Sequence, residues 1–359
     1  MEENVRETKN IKVIRILGAV LGNSALILVT TLAIALLFVV SVILILTHGP
    51  SSQAKYIFVN SCHETSALKF LPYWFLSDDE VDRLLLPISE DDGYRELGYG
   101  PEAAENTGEN ETAEVFLPAD EDDGFTDGVK IEDVYGDTYR GKVMLIRDPE
   151  RVTFGVLHSY SEDGYGKYLY KFIEDTGAIG GVNGGGFADE EGRGHGGCPD
   201  GFVIKDGKII YGADLGVCNN FIGFDKDHKL LLKSCTANQA LNAGAVEGFT
   251  FEMGSVLIRD GNPARKLGGG YNPRTAIGQR ADGTVILVVI EGRHAASLGA
   301  TRDDLVKIME YYEAENATML DGGSSAEMRY DGEQLTRGSG IIGMRPLPNA
   351  VLVMPEGEK

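Results

Sequence analysis

"TVILVVIEGRHAASLGATRDDLVKIMEYYEAENATMLDGG", residues 284–323, decides the fold. Thr284 to Ile290 is an unbroken run rich in β-branched residues, of strand length. Thr301 then precedes a segment in which Leu305, Ile308, Met309 and Tyr312 recur at i, i+3, i+4 and i+7. Asp304, three residues after Thr301, completes a helix-capping pair, so a helix is expected over Arg302 to Glu315. A second apolar run, Ala317 to Leu320, follows. Strand, helix, strand reads as a βαβ unit with parallel strands and a right-handed connection. Each strand ends on an acid followed by glycine, Glu291-Gly292 and Asp321-Gly322-Gly323. Parallel strands bring both carboxylates to one edge of the sheet.

Outward from this unit, short β-like runs alternate with glycine turns: "KVMLIRD", "RVTFGVLH", "AIGGVNGG", "FVIKDGKIIY", "SVLIRDGNP" and "AVLVMP". "IKDGKI" and "RYDGEQ" set Asp-Gly between alternating residues. That is a hairpin signal, because a type I′ turn needs two residues at positive φ. The class is therefore α+β: a mixed β-sheet with hairpins and a βαβ unit, preceded by an N-terminal transmembrane helix.

That helix is read from "ALILVTTLAIALLFVVSVILIL", Ala25 to Leu46, which carries no charge. At about 1.5 Å per residue it matches a hydrocarbon layer of roughly 30 Å. It is too long for a signal-peptide core, and no small-x-small cleavage pattern follows. Arg6, Lys9, Lys12 and Arg15 precede it, so the N-terminus is expected in the cytoplasm and everything after about His48 outside a single-pass cell membrane anchor. Four segments follow from this reading: a basic tail over 1–24, the span over 25–47, a juxtamembrane helical segment with an acidic insert over 48–128, and the strand-rich domain over 129–359. "TSALKFLPYWFLSDDEVDRLL" suggests one or two juxtamembrane helices broken near Pro72.

The 359 residues carry a formal net charge of −22. Between Asp78 and Asp127 stand 18 acids against 2 bases, so that stretch alone supplies −16. A field of this sign excludes a nucleic-acid partner, which needs clustered Lys and Arg. The acidic insert reads as a solvated segment. Cys62, Cys198, Cys218 and Cys235 all follow the span, fit no CxxC zinc spacing, and allow three disulfide pairings.

The candidate chemistry gathers at strand ends. Asp321 and Glu291 are the candidate catalytic acids; the bland alternative for Asp321 is an acid closing a tight turn on its own backbone. Arg274 in "YNPRTAIG" and Arg293 in "EGRH" suit bidentate contact with phosphate or carboxylate. Asn183 in "VNGGGF" offers an amide to hydroxyls or phosphate oxygens. The glycine-rich stretches lack both the GxGxxG-helix context and the P-loop lysine, so no nucleotide cofactor is expected, and no metal.

"GGVNGGGF", "GFVIKDGKII", "NPRTAIG", "VILVVIEGR", a helix and "LDGGSSAEM", in that order, resemble the phosphodiester glycosidase family over roughly Val129 to Pro355. The resemblance implies hydrolysis of sugar-1-phosphodiesters between the anomeric carbon and the phosphate. By position it maps Asn183 onto the family's Asn-Gly-Gly-Phe-Phe, Arg274 and Thr275 onto Pro-Arg-Thr, and Arg293 onto Asp-Gly-Arg. Asp321, Gly322, Gly323 and Ser325 map onto Asp-Gly-Gly-x-Ser. Two positions depart: Gly186 replaces the first Phe, and Glu291 stands where Asp is usual.

The expected mechanism has Arg274, with Arg293, clamping the phosphodiester while the N–H groups of Gly322 and Gly323 assist, and Asp321 or Glu291 acting as nucleophile or base. The expected substrate is a carbohydrate phosphodiester in cell-wall or exopolysaccharide glycans. Two alternatives stand beside it: a non-catalytic module binding anionic glycans, and a metal-dependent phosphodiesterase using Asp321 with His195 or His294.

Overall fold

The structure, a computed structural model, describes residues 2–65, 68–85, 124–189, 194–338 and 343–357. Most of the acidic insert, residues 86–123, lies outside the described residues. The class is α+β, as expected. Three sheets carry the domain. The largest has seven strands in the order β1 (Val129–Tyr135), β2 (Arg140–Ile146), β13 (Val285–Ile290), β12 (Arg274–Arg280), β14 (Ala314–Leu320), β10 (Val256–Arg259) and β11 (Asn262–Pro263). The second runs β16 (Glu333–Gln334), β15 (Met328–Tyr330), β4 (Gly180–Asn183), β17 (Asn349–Val353), β3 (Val152–Val156). The third runs β6 (Lys208–Tyr211), β5 (Val203–Lys205), β9 (Ala245–Thr250), β7 (Cys218–Asp225), β8 (Leu230–Cys235).

β13, the helix Arg302–Tyr311 and β14 form the expected strand–helix–strand succession. The two strands do run parallel, but they are not hydrogen-bonded neighbours. β12 lies between them and pairs antiparallel with each. The helix is shorter than expected because Glu313 turns at φ 59° and the chain re-enters the sheet at Ala314. Its start follows the capping logic: the Thr301 side chain accepts from Asp304 N, and the Asp304 side chain accepts from Thr301 N. Leu305, Val306, Ile308 and Met309 are its buried face. A buried Leu of this kind is worth about 2–5 kcal/mol against Ala.

All six residues of β13 are buried, which explains why that run is apolar throughout and not alternating. The main core joins Val285–Ile290 to Phe154, Val182, Ile222 and Phe249, from strands of all three sheets. Both Asp-Gly hairpins form. Asp206 and Gly207 take φ 51° and 68°, and Asp331 and Gly332 take 49° and 77°, as a type I′ turn requires.

The N-terminal helix α1 covers Glu2–His48, and Asn23–His48 within it is long and apolar enough to cross a bilayer, with its side chains exposed. After Gly49 and Pro50 comes α2 (Ser52–His63), begun by the Ser51 side chain accepting from Ala54 N. A short 3-10 turn at Pro72–Trp74 and α3 (Asp78–Leu85) complete the juxtamembrane segment, with Tyr56, Val59, Leu76, Val81 and Leu84 as a small core of its own.

Candidate active site

The register of the large sheet fixes which strand ends meet. Arg274 pairs with Ile290 and Thr275 with Leu320, so Glu291, Arg274 and Asp321 leave one edge with β12 in the middle. The second sheet closes against that edge through Asn183. Its Nδ2 donates to Asp321 O at 2.5 Å, and its Oδ1 accepts from Thr275 Oγ1 at 2.8 Å and Glu327 N at 3.2 Å. Asn183 and Thr275 are wholly buried. Their polar groups are consumed in seating the Asp321 backbone, so they position the acid from beneath.

Asp321 is half-buried, and its backbone N donates to Gly184 O at 3.0 Å. Burial pushes its carboxyl up to about 7; the Ser325 side chain pulls the other way, and Asp200 pushes it further. Gly322 N donates to Asp321 Oδ1 at 2.9 Å, and Gly323 N donates to Pro273 O at 2.9 Å. The expectation that these two amides face a phosphate is therefore corrected: in this conformation the 321–323 turn uses them to hold itself. Asp321 does cap its own turn.

Arg274 is buried, with Nη2 donating to Glu64 Oε2 at 2.6 Å and Gly270 O at 2.8 Å, and Nε to Ala300 O at 3.1 Å. Glu64, just past the end of α2, also accepts from Asn272 Nδ2 at 2.8 Å and Arg302 Nη2 at 3.3 Å. A carboxylate of the chain's own juxtamembrane segment thus occupies the anion seat that Arg274 provides. Arg293 differs. It is exposed, sits at φ 61°, and donates from Nη2 to Thr65 Oγ1 at 2.9 Å and Asn272 Oδ1 at 3.1 Å. A Cβ at Gly323 would lie 3.4 Å from Arg293 Nη2, so glycine there leaves the guanidinium room. A left-handed non-glycine residue costs about 1–3 kcal/mol and tends to mark functional sites.

Glu291 leaves the same edge but turns elsewhere. Its Oε2 lies 3.2 Å from Arg140 Nε and 3.2 Å from His294 Nε2, and Oε1 accepts from Arg337 N at 2.7 Å. Among the described residues none of its bonds runs to Asp321, Arg274 or Arg293. The structure thus brings together Asp321, Arg293, Arg274, Thr275, Asn183, Gly322, Gly323 and Ser325, and sets Glu291 in a separate ion-pair cluster beyond β12. His195 stacks on Tyr165 with centroids 4.8 Å apart.

Three features were not singled out from sequence. Asp200 follows Pro199 in a loop, is half-buried, and is pushed up to about 6 by burial and by Glu252. Arg345 holds Asp189 bidentately at 2.6 and 2.7 Å, packs over Phe187 at 4.8 Å, and feels the Asp321 charge. Glu64 is the third. None sits in a periodic pattern; the sole signal was Gly186, whose missing side chain faces Asp200.

The edge of the large sheet in this α+β domain thus presents a carboxyl that burial pushes up to about 7, with Arg293 and Arg345 bearing on it. Through residues 176–354, which match the sequence model of the phosphodiester glycosidase family, the chain belongs to that family. The structure is similar to the zebrafish N-acetylglucosamine-1-phosphodiester alpha-N-acetylglucosaminidase catalytic domain auto-inhibited by pro-peptide, with TM-score 0.50 and 21% identity, covering 64% of this chain and 82% of that one. A putative exported protein from Burkholderia pseudomallei K96243 gives TM-score 0.45 at 16% identity, covering 62% of this chain and 74% of that one. In sequence, 105 residues are 31% identical to the SPbeta prophage-derived uncharacterized protein YomE of Bacillus subtilis (strain 168), covering 28% of this chain and 16% of that protein.

Proposed function

We propose that the chain is a membrane-anchored phosphodiester glycosidase, hydrolysing sugar-1-phosphodiesters between the anomeric carbon and the phosphate, with glycans of the cell wall or an exopolysaccharide as substrate. The observation that carries this reading is Asp321: a carboxyl raised to about 7 by burial, at the edge of the sheet, in a family defined by that chemistry. Phosphate is a good leaving group, so the demanding task is to stabilise the oxocarbenium-like sugar and deliver water. Asp321, with its raised carboxyl, is suited to exchanging a proton at that centre. Arg293, exposed beside Gly323, meets the phosphodiester anion. The apolar helix Asn23–His48 holds the domain at the membrane, outside the cell.

Arg274 is committed to Glu64 in this conformation. The zebrafish enzyme's catalytic domain is described as auto-inhibited by its pro-peptide. By the same logic Glu64 is an internal anion that the substrate phosphate displaces. Asp321→Asn in the full chain, in detergent micelles, is expected to abolish sugar release from a panel of sugar-1-phosphodiesters that includes UDP-sugars. Turnover near the unmodified rate in a folded Asp321→Asn protein removes Asp321 from the mechanism.

A further inference from the structure

Asp200 has a position that the proposed reaction leaves unused. Its backbone N donates to Gly186 O at 3.0 Å, while Asp321 N donates to Gly184 O at 3.0 Å. Both acids therefore hang from opposite ends of one tripeptide, Gly184 to Gly186, which follows β4 directly. The Asp200 carboxylate lies over that tripeptide: a Cβ at Gly186 would stand 2.2 Å from Asp200 Oδ2 and 2.9 Å from Phe251 Cδ2. A side chain at 186 and this carboxylate exclude one another. Where the family's pattern has an aromatic ring, this chain has an acid reaching into the same space from another loop.

Among the described residues, no donor or cation is bonded to the Asp200 carboxylate. A half-buried carboxylate with two acidic neighbours and no counter-ion of its own is costly, and such arrangements concentrate at catalytic sites. Among the described residues, these charged groups bear on the pair. Asp200 faces Glu252, and Asp321 faces Asp200, Arg345 and Arg293, with Ser325 bonding its carboxylate.

Resting on the glycosidase reading above, we infer that Asp200 is the second carboxyl of the reaction, paired with Asp321 across the Gly184–Gly186 turn. Water oxygen bonds to the anomeric carbon and gives its proton to ionised Asp200. The bond from that carbon to the phosphate oxygen breaks with its electron pair left on the phosphate, which takes the proton of Asp321. One water is consumed, a free sugar and a phosphomonoester form, and the proton returns from Asp200 to Asp321 through solvent. Burial and like charge hold the two carboxyls near 6 and 7, so between those values Asp200 is mostly ionised while Asp321 mostly keeps its proton.

The test is a set of variants of the full chain in micelles, with a UDP-sugar as probe: Asp200→Asn, Gly186→Ala, the two combined, and Asp321→Asn. Asp200→Asn is expected to lower kcat/KM about 100-fold, the usual size of general-base help, and to erase the acidic limb of the pH profile. Gly186→Ala, which pushes the carboxylate aside, is expected to lower the rate similarly and to cost nothing further in the Asp200→Asn background. A dead Asp321→Asn beside an Asp200→Asn protein with the full bell-shaped profile overturns the pairing and leaves the glycosidase reading standing. An active Asp321→Asn protein removes Asp321 from the mechanism and the pairing with it, whereas no sugar release by the unmodified chain overturns the glycosidase reading itself. A second readout needs no turnover: Asp200→Asn is expected to move the Asp321 titration, followed through the pH dependence of the Tm difference caused by Asp321→Asn, to lower pH. An unmoved midpoint means that the carboxyls are not coupled, and the pairing falls.

Discussion

The role proposed for Asp321 carries a cost in stability. Its carboxyl titrates near 3.8 in the unfolded chain and about 7 in the fold, so between those values the native state binds more protons. Stability from this group is therefore full below about pH 4 and is lost as pH rises through 7. Asp321→Asn is expected to raise Tm at pH 8 and to leave it unchanged near pH 4, read by thermal melts across that range. A Tm gain independent of pH contradicts the raised carboxyl. Asn keeps an oxygen for the Gly322 N–H, so the turn itself survives the change. At this scale the sequence made Asp321 conspicuous, because an acid between a strand and two glycines has few structural uses. It did not expose Asp200, whose partnership depends on a loop crossing from another part of the chain. Glu291 was equally conspicuous, yet its side chain is drawn away by Arg140, His294 and the Arg337 amide, contacts that spacing alone does not reveal.

At the scale of elements, turns and caps were legible because their signals are local. Asp-Gly at 206–207 and 331–332 and the Thr301–Asp304 box all follow from backbone requirements of a few residues. The insertion of β12 between β13 and β14 was not legible, since an apolar run shows that a strand is buried without naming its neighbour. The docking of α2 was hidden for a similar reason: it rests on Tyr56, Ser61 and Glu64 receiving donors from Gly269, Tyr271 and Arg274, more than 200 positions away. That contact makes a prediction. Glu64→Gln removes the internal anion from Arg274, so kcat/KM for a sugar-1-phosphodiester is expected to rise several-fold while Tm falls, because a buried arginine loses its counter-charge. Loss of activity with Tm intact shows instead that Glu64 helps the reaction.

The whole molecule joins a sheet-rich domain to a helix able to cross a bilayer through the short link of Gly49 and Pro50. Composition announced that helix, since its apolar run carries no charge over a length that matches a bilayer. The hollow of about 340 Å³ lined by Phe125, Lys130, Glu132, Arg280 and Tyr312 lies at the opposite end of the large sheet from Asp321, and its polar groups are tied up in the Lys130–Glu132 and Tyr312–Glu132 contacts. The account therefore rests on the Asp321 edge cleaving carbon–oxygen and not phosphorus–oxygen bonds. Turnover of a UDP-sugar by the full chain in ¹⁸O-water, with products weighed by mass spectrometry, tests this directly. One heavy oxygen is expected in the released sugar and none in the phosphate product; label in the phosphate contradicts carbon–oxygen cleavage.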